Sequence, residues 1–252
     1  MFDKKAARTV TLVKDPNGTS AVNLSKVREA GHIDLAKKAD KAGISLNKRG
    51  LEGIRAQAFL VLDYSYSMLD DYRNGNVQTL VERALGFALQ IDLDGEVPVI
   101  PFASQALPTI AVNLNNYQGV VDRELVQKHR MGSTDLAGGL QVVLDAAKTT
   151  DSPIFCIVVT DGAPDSKPAA VKVVAEMSKY PVFIKFLALN EIEFLRKLDD
   201  DMAGKSLIDN VDTKFSSGDL DLLGGTDLKF ADAMTDEWDT WIKAAFTAGV
   251  LR

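Results

Sequence analysis

Short apolar runs alternate with amphipathic segments along most of the chain. Two of the runs, at 58–62 and 154–159, contain no polar residue, as expected for strands buried on both faces of a sheet. The predicted strands are 58–62, 97–102, 109–113, 154–160, 182–189 and 206–211. The predicted helices are 77–90, 119–129, 135–147, 168–179, 192–198 and 230–248. This alternation predicts an α/β fold with a doubly wound, mostly parallel central sheet and helices on both faces.

The first 55 residues differ in composition from the rest of the chain: they are rich in Lys and Arg and poor in large apolar side chains. The elements predicted there are short strands at 9–13 and 21–24 and a helix at 25–42 that ends at Gly43. This segment has too few core residues to fold alone. We therefore expect an N-terminal extension, residues 1–55, that packs on the main domain or is partly disordered, and a main domain over residues 56–252.

Amino-acid composition, net charge and cysteine content limit the classes of function that fit this chain. Of the 252 residues, 46% are apolar and 25% are charged, as in ordinary globular domains. The net charge of −6 argues against nucleic acid as the main partner, since phosphate backbones attract basic surfaces. Cys156 is the single cysteine, which excludes an intramolecular disulfide and fits a reducing compartment. The chain shows no signal-peptide pattern and no apolar run of the ~20 residues that span a bilayer. We expect a cytoplasmic protein without a membrane span.

Oxygen-bearing side chains follow two of the predicted strands. Asp63, Ser65 and Ser67 come directly after the first strand, and Asp161 follows the strand at 154–160. Between them, Thr134 lies in a polar loop that opens a helix. In parallel sheets, ligands bind at the carboxyl ends of the strands, so these five residues, the candidate ligands, are expected to converge. Carboxylate and hydroxyl oxygens suit Mg²⁺ or Mn²⁺, and at least one octahedral position would stay open.

The order and spacing of the candidate ligands resemble the metal-ion-dependent adhesion site (MIDAS) of von Willebrand factor A (VWA) domains. The resemblance extends from residue 57 to the C-terminus and includes an Asp-x-Ser-x-Ser motif, a downstream Thr, and a later Thr-Asp-Gly. It implies that the candidate ligands form a metal site, with the hydroxyls binding directly in at least one state and the carboxylates in part through water. One departure is Tyr66, which stands where glycine is frequent.

A narrower resemblance concerns the residues before the first strand. The stretch 43–51 resembles the VWA proteins of bacterial tellurium-resistance and general stress operons. The stretch 22–26 is similar to a motif of the calcium-binding domains encoded in those operons. The resemblance implies a role in such a resistance or stress-response system.

The VWA resemblance also implies a protein-binding function that depends on a cation. Mg²⁺ is the expected ion, and Mn²⁺ or Ca²⁺ would also suit the oxygens. An Asp or Glu of a protein partner would complete its coordination. An exposed loop would place a partner-binding rim around the ion, formed by Tyr64, Tyr66, Met68 and Tyr72.

An enzyme is not expected. A phosphatase of the haloacid dehalogenase type needs a second carboxylate two residues after its nucleophilic Asp, and Ser65 occupies that place. The chain has no glycine-rich phosphate loop with Lys and no G-x-S-x-G elbow, and neither an elbow nor an oxyanion-hole motif supports a Ser67–His129–Asp161 triad. Two alternatives stay open: a metal-independent VWA scaffold, which would bind its partner equally well in chelator, and a metal-dependent hydrolase.

Overall fold

A six-stranded sheet forms the centre of the protein, seen in a computed structural model that describes residues 5–200, 202, 204–217 and 220–252. Its strands are β1 (Gln57–Asp63), β2 (Val97–Phe102), β3 (Ile110–Val112), β4 (Ile154–Thr160), β5 (Val182–Ala188) and β6 (Val211–Phe215). The spatial order is β3-β2-β1-β4-β5-β6, and only the β2–β3 pair is antiparallel. The chain builds outward from β1 to one edge, then returns to place β4 beside β1. The sheet therefore has its topological switch point between β1 and β4.

Helices cover both faces of the sheet. They are α1 (Leu24–Glu29), α2 (Ile33–Lys48), α3 (Leu69–Arg73), α4 (Asn76–Ile91), α5 (Leu136–Ala147), α6 (Lys167–Met177), α7 (Glu193–Asp200), α8 (Asp227–Thr235) and α9 (Trp238–Thr247), with a π-helix at Val121–Val126. One core forms between the sheet and α5, α6 and α7, and the other between the sheet and α2, α4, α8 and α9. The predicted doubly wound α/β fold is confirmed.

The central strands carry the candidate site. β1 and β4 pair in parallel with Leu62 opposite Val159, so both strands end at the same edge of the sheet. Every residue of β4 is buried, and in β1 only the first residue is not. Such continuous burial explains their unbroken apolar sequences, because both faces of each strand pack against helices.

The N-terminal extension departs from its predicted elements. The strands expected at 9–13 and 21–24 are absent from the described residues; only single bridges form, from Val10 to Leu251 and from Lys14 to Ile54. The helix expected at 25–42 is divided into α1 and α2, and α2 continues through Gly43. Gly43 lies against the Gln90 side chain of α4, so it permits a close helix approach and does not end the helix. Residues 5–55 pack on the rest of the fold.

Two elements near the C-terminus also differ from prediction. The strand expected at 206–211 is a loop, and β6 follows it at Val211–Phe215. The helix expected at 230–248 is divided into α8 and α9, because Glu237 adopts a left-handed backbone conformation with φ of 59°.

Candidate metal centre

Asp63 ends β1 as a completely buried carboxylate. Its Oδ1 accepts a hydrogen bond from the Ser65 backbone N–H at 2.9 Å, and its Oδ2 accepts one from the Thr160 hydroxyl at 2.5 Å. The Tyr72 hydroxyl donates to the Asp63 carbonyl oxygen at 2.7 Å. The adjacent strands and the first helical turns after β1 therefore fix this carboxylate in one orientation.

Hydrogen bonds extend from Asp63 to the loop after β4. The hydroxyls of Ser65 and Ser67 lie 3.0 Å apart, and Ser67 donates to Oδ1 of Asp161 at 2.8 Å. Ser65 is buried, Asp161 is half-buried and Ser67 is exposed. The structure thus brings four of the five candidate ligands into one hydrogen-bonded series that runs from the interior to the surface.

Thr134 reaches this edge of the sheet on a separate loop. The Gly132 N–H donates to the Tyr64 carbonyl at 3.2 Å, and the Tyr66 N–H donates to the Gly132 carbonyl at 3.0 Å. These bonds align the Thr134 loop with the Asp-x-Ser-x-Ser loop. Within the described part of the chain, the Thr134 hydroxyl has no hydrogen bond to the other four candidate ligands.

Burial dominates the electrostatics of the two carboxylates. It raises the pKa of Asp63 to about 6, against the opposing effect of the Thr160 and Ser65 hydrogen bonds. The negative charge of Asp161 raises the Asp63 pKa further, and burial raises the pKa of Asp161 itself. Two poorly solvated carboxylates are therefore held near each other, an arrangement that a bound cation would stabilise.

The donor set fits a hard divalent cation. Two carboxylates and three hydroxyls offer only oxygen, the ligand type that Mg²⁺, Mn²⁺ and Ca²⁺ share. Over the described ranges, no three His, Cys, Asp or Glu side chains come together as a metal-binding group. A centre at this edge would consequently depend on the serine and threonine hydroxyls as much as on the carboxylates.

The predicted partner-binding rim is not formed as expected. Only Tyr66 is exposed, at 69%, whereas Tyr64, Met68 and Tyr72 are buried. Their apolar side chains turn into the core below the loop, and the Tyr64 and Tyr72 rings pack edge to face at a centroid distance of 4.9 Å. Tyr64 and Tyr72 also line a cavity of about 440 Å³ beside the loop. Tyr66 is the member of the rim that a partner would meet at the surface.

Several supporting residues were not predicted from the sequence. Thr160 holds the Asp63 carboxylate, Asn190 donates to the Asp161 carbonyl at 3.1 Å, and Asp165 bonds the Thr134 backbone at 3.0 Å. Thr160 carried a usable signal, because a hydroxyl residue at the end of an apolar strand faces the same edge as the neighbouring strand end. The sequence around Asn190 and Asp165 gave no such signal, because their partners Asp161 and Thr134 lie 29 and 31 residues away.

Comparison with known proteins identifies the family to which the chain belongs. The sequence model of the vWA-TerF-like family, described as the vWA found in the TerF C terminus, matches residues 55–251. The chain belongs to this TerF-like VWA family. It is also similar to the protein YcbR of Bacillus subtilis (strain 168), with 32% identity over 228 residues that cover 87% of this chain and 90% of YcbR.

The chain is also similar to solved structures, at low sequence identity. The manganese-loaded TRAP protein of Plasmodium vivax matches with a TM-score of 0.47 and 16% identity, covering 72% of each chain. The VWA domain of SpRpn10 matches with a TM-score of 0.47 and 10% identity, covering 73% of this chain and 95% of that domain.

Family membership defines the general role of this TerF-like VWA chain. VWA domains generally mediate protein interactions, and membership of the family supports such a role for this chain. Membership also agrees with the resemblance to VWA proteins of tellurium-resistance operons. Among the residues that the structure describes, no helix has the length and apolar character needed to cross a membrane.

Proposed function

We propose that this VWA domain binds a divalent cation, Mg²⁺ first, and through it an acidic side chain of a protein partner. The observation that carries the proposal is the hydrogen-bonded series that joins the buried Asp63 through Ser65 and Ser67 to Asp161. Serine hydroxyls that lie between two carboxylates at the switch point of an α/β sheet are suitable ligands for a hard cation.

Each candidate ligand has a distinct role in this proposal. The hydroxyls of Ser65, Ser67 and Thr134 would hold the cation, with Mn²⁺ or Ca²⁺ as alternatives to Mg²⁺. Asp63 and Asp161 would balance its charge. When bound, the cation would supply the positive charge that an Asp or Glu of the partner needs at an otherwise acidic surface.

We further propose that the interaction serves a bacterial tellurium-resistance or stress-response system in the cytoplasm. Membership of the TerF-like family supports this setting. The buried single thiol of Cys156 is compatible with a reducing compartment. Tellurite tolerance of cells that carry the wild-type chain or its Ser67→Ala variant would test it; equal tolerance would contradict a metal-dependent role in tellurite resistance.

Calorimetric titration of chelator-stripped protein with Mg²⁺ and Mn²⁺ tests the cation site directly. Ser67→Ala is the informative variant, because Ser67 is exposed and its removal leaves the core intact. Ser25→Ala, an exposed serine on α1, is the matched control. Saturable binding that Ser67→Ala loses and Ser25→Ala keeps is the expected result. Equal binding by all three proteins would place the cation elsewhere.

Partner binding in metal and in chelator separates the proposal from its alternatives. A metal-dependent complex is expected to dissociate when the cation is chelated. A metal-independent scaffold would bind equally well in both conditions. A hydrolase would instead show turnover of an ester or phosphate that Asp161→Ala abolishes.

A further inference from the structure

Asp165 forms a two-bond bridge between the loops that carry Asp161 and Thr134. Its Oδ2 accepts a hydrogen bond from the Thr134 backbone N–H at 3.0 Å. Its own backbone N–H donates to the Thr134 carbonyl oxygen, also at 3.0 Å. Both peptide groups of one candidate ligand are thus bound to a single residue in the loop of another.

The Asp165 bridge connects Thr134 itself to another loop, whereas the other hydrogen bonds from this loop to the rest of the protein hold the neighbours of Thr134. Gly132 is held by backbone bonds to Tyr64 and Tyr66, and the Asp135 N–H donates to the Ala103 carbonyl at 2.8 Å. These bonds lie on either side of Thr134. In the parts of the chain that the structure describes, Thr134 is also the candidate ligand whose side chain has no hydrogen bond to another candidate ligand. The Leu136 N–H also donates to the Thr134 carbonyl at 3.0 Å, but that bond stays within the Thr134 loop, whereas the Asp165 bonds link Thr134 to the loop of Asp161.

We propose that Asp165 is a positioning residue for the cation site, acting through Thr134 and not as a ligand. The inference rests on the proposed cation-binding function. An oxygen ligand contributes to affinity when surrounding hydrogen bonds hold it in place before the ion arrives. Asp165 does this for Thr134 from the surface, and it fixes the separation of the two loops on which the second and third parts of the motif lie.

Two substitutions separate geometry from charge. Asp165→Ala removes the acceptor for the Thr134 N–H, whereas Asp165→Asn keeps a side-chain oxygen and removes the negative charge. The dissociation constant for Mn²⁺, measured from the paramagnetic resonance of the free ion, is the readout. Asp165→Ala is expected to weaken binding about ten- to a hundred-fold, the range for residues that orient metal ligands. Asp165→Asn is expected to stay within about three-fold of wild type, since the bond to Thr134 remains.

A double-variant comparison tests whether Asp165 acts through Thr134. Thr134→Ala removes the hydroxyl that Asp165 positions, so adding Asp165→Ala to it is expected to cause no further loss of Mn²⁺ affinity. Fully additive losses would overturn the proposal, because they would mean that Asp165 acts on the ion independently. A loss in Asp165→Asn as large as in Asp165→Ala would also overturn it, in favour of a charge effect.

Asp94→Ala is the matched control. Asp94 is an exposed aspartate whose side chain accepts the Glu96 backbone N–H at 2.9 Å, in the loop that enters β2 at the opposite edge of the sheet. The Asp94→Ala protein is expected to bind Mn²⁺ with the same affinity as wild type. If the role of Asp165 is purely structural, Asp165→Ala will lower the melting temperature of the metal-free protein and leave its Mn²⁺ affinity unchanged. That result would overturn the inference about Asp165 but not the cation site. Absence of Mn²⁺ binding in the wild-type chain would overturn the cation site and this inference together.

Discussion

Asp92 is a buried carboxyl group at the end of α4, remote from the candidate ligands. Its Oδ2 accepts the Ala58 backbone N–H at 2.8 Å, and burial together with the nearby Asp94 charge raises its pKa to about 7. The folded protein therefore binds this proton more tightly than the unfolded chain does. The stabilisation is complete below the ordinary pKa of 3.8 and is lost as the pH rises to about 7.

We predict that Asp92→Asn reduces the pH dependence of stability. Asn keeps an acceptor for the Ala58 N–H and cannot ionise, so the stability of the variant relative to wild type should increase between pH 5 and pH 8 by on the order of 1–3 kcal/mol. Urea unfolding at the two pH values measures this difference. Asp151→Asn, at a fully exposed carboxylate, is the control that removes the same charge without burial. Parallel pH profiles for Asp92→Asn and wild type would contradict the prediction.

The candidate ligands show what a local motif can predict at this scale. Asp63, Ser65 and Ser67 lie within five consecutive positions at a strand end, so their chemistry and approximate place follow from the sequence. The bond from Thr160 to Asp63 joins residues 97 positions apart, and it exists only because β1 and β4 are neighbours. The burial of Tyr64 likewise depends on its packing in the core, where most of the other residues are distant in sequence, and no local pattern describes that packing.

Close packing of α2 on α4 is the feature that places the N-terminal extension. A Cβ on Gly86 of α4 would lie 2.7 Å from the Cβ of Lys38, and one on Gly43 of α2 would lie 2.9 Å from the Gln90 side-chain nitrogen. The first contact is with the root of a side chain and the second with a flexible end. The two helices can approach this closely because glycine occupies both positions.

We predict that Gly86→Ala lowers the free energy of unfolding by about 1–3 kcal/mol through overpacking. This loss opposes the gain of about 1 kcal/mol that alanine brings to a helix interior. Gly43→Ala is the matched variant, and its loss should be smaller because Gln90 can move. Urea denaturation of both variants measures the difference. A Gly86→Ala protein more stable than wild type would mean that the helices lie farther apart.

The β5–β6 pair contains a buried ion pair that also explains a failed strand prediction. Lys185 donates to Asp212, and both side chains are almost completely buried. The sequence of β6 contains Asp212 and Lys214 among its five residues, a pattern that predicts a polar loop. The apolar Leu207 and Ile208 before it instead predict a strand. β4 was predicted to the residue because no such pair interrupts it. Lys185 also donates to the Asp236 carbonyl at 2.8 Å, at the break between α8 and α9.

We predict that removing Lys185 and removing Asp212 lower the free energy of unfolding by different amounts. Lys185→Met leaves Asp212 bonded to Lys214 at 2.9 Å, whereas Asp212→Asn leaves a buried ammonium without its carboxylate. Asp212→Asn should therefore cost about 3–5 kcal/mol, more than Lys185→Met. The double variant, neutral at both positions, should recover much of that loss. Urea unfolding at neutral pH tests the order, and a double variant no more stable than Asp212→Asn would contradict it.

At the scale of the whole molecule, the N-terminal extension and the family-matched region share one core. The alternation of strands and helices predicted the sheet and its switch point. The helix predicted at 25–42 overlaps α2, but the basic composition of the first 55 residues concealed how much α2 contributes to the core. That helix buries Leu35 and Leu46 between α4 and α8 and exposes Lys37, Lys41 and Lys48. The match to the family begins at residue 55, so it omits a helix on which this core depends.

We therefore predict that a fragment of residues 55–252 does not reach the native state. Its loss of α2 would expose apolar side chains of α4 and α8 that are buried in the full chain. The near-ultraviolet circular dichroism of Trp238 and Trp241, which pack in the same core, should be lost in the fragment. Leu35→Ala in the full chain should cost about 2–5 kcal/mol, whereas Ile33→Ala, at an exposed position of the same helix, should change stability by less than about 0.5 kcal/mol. A fragment with native dichroism and cooperative unfolding would show instead that the core closes without α2.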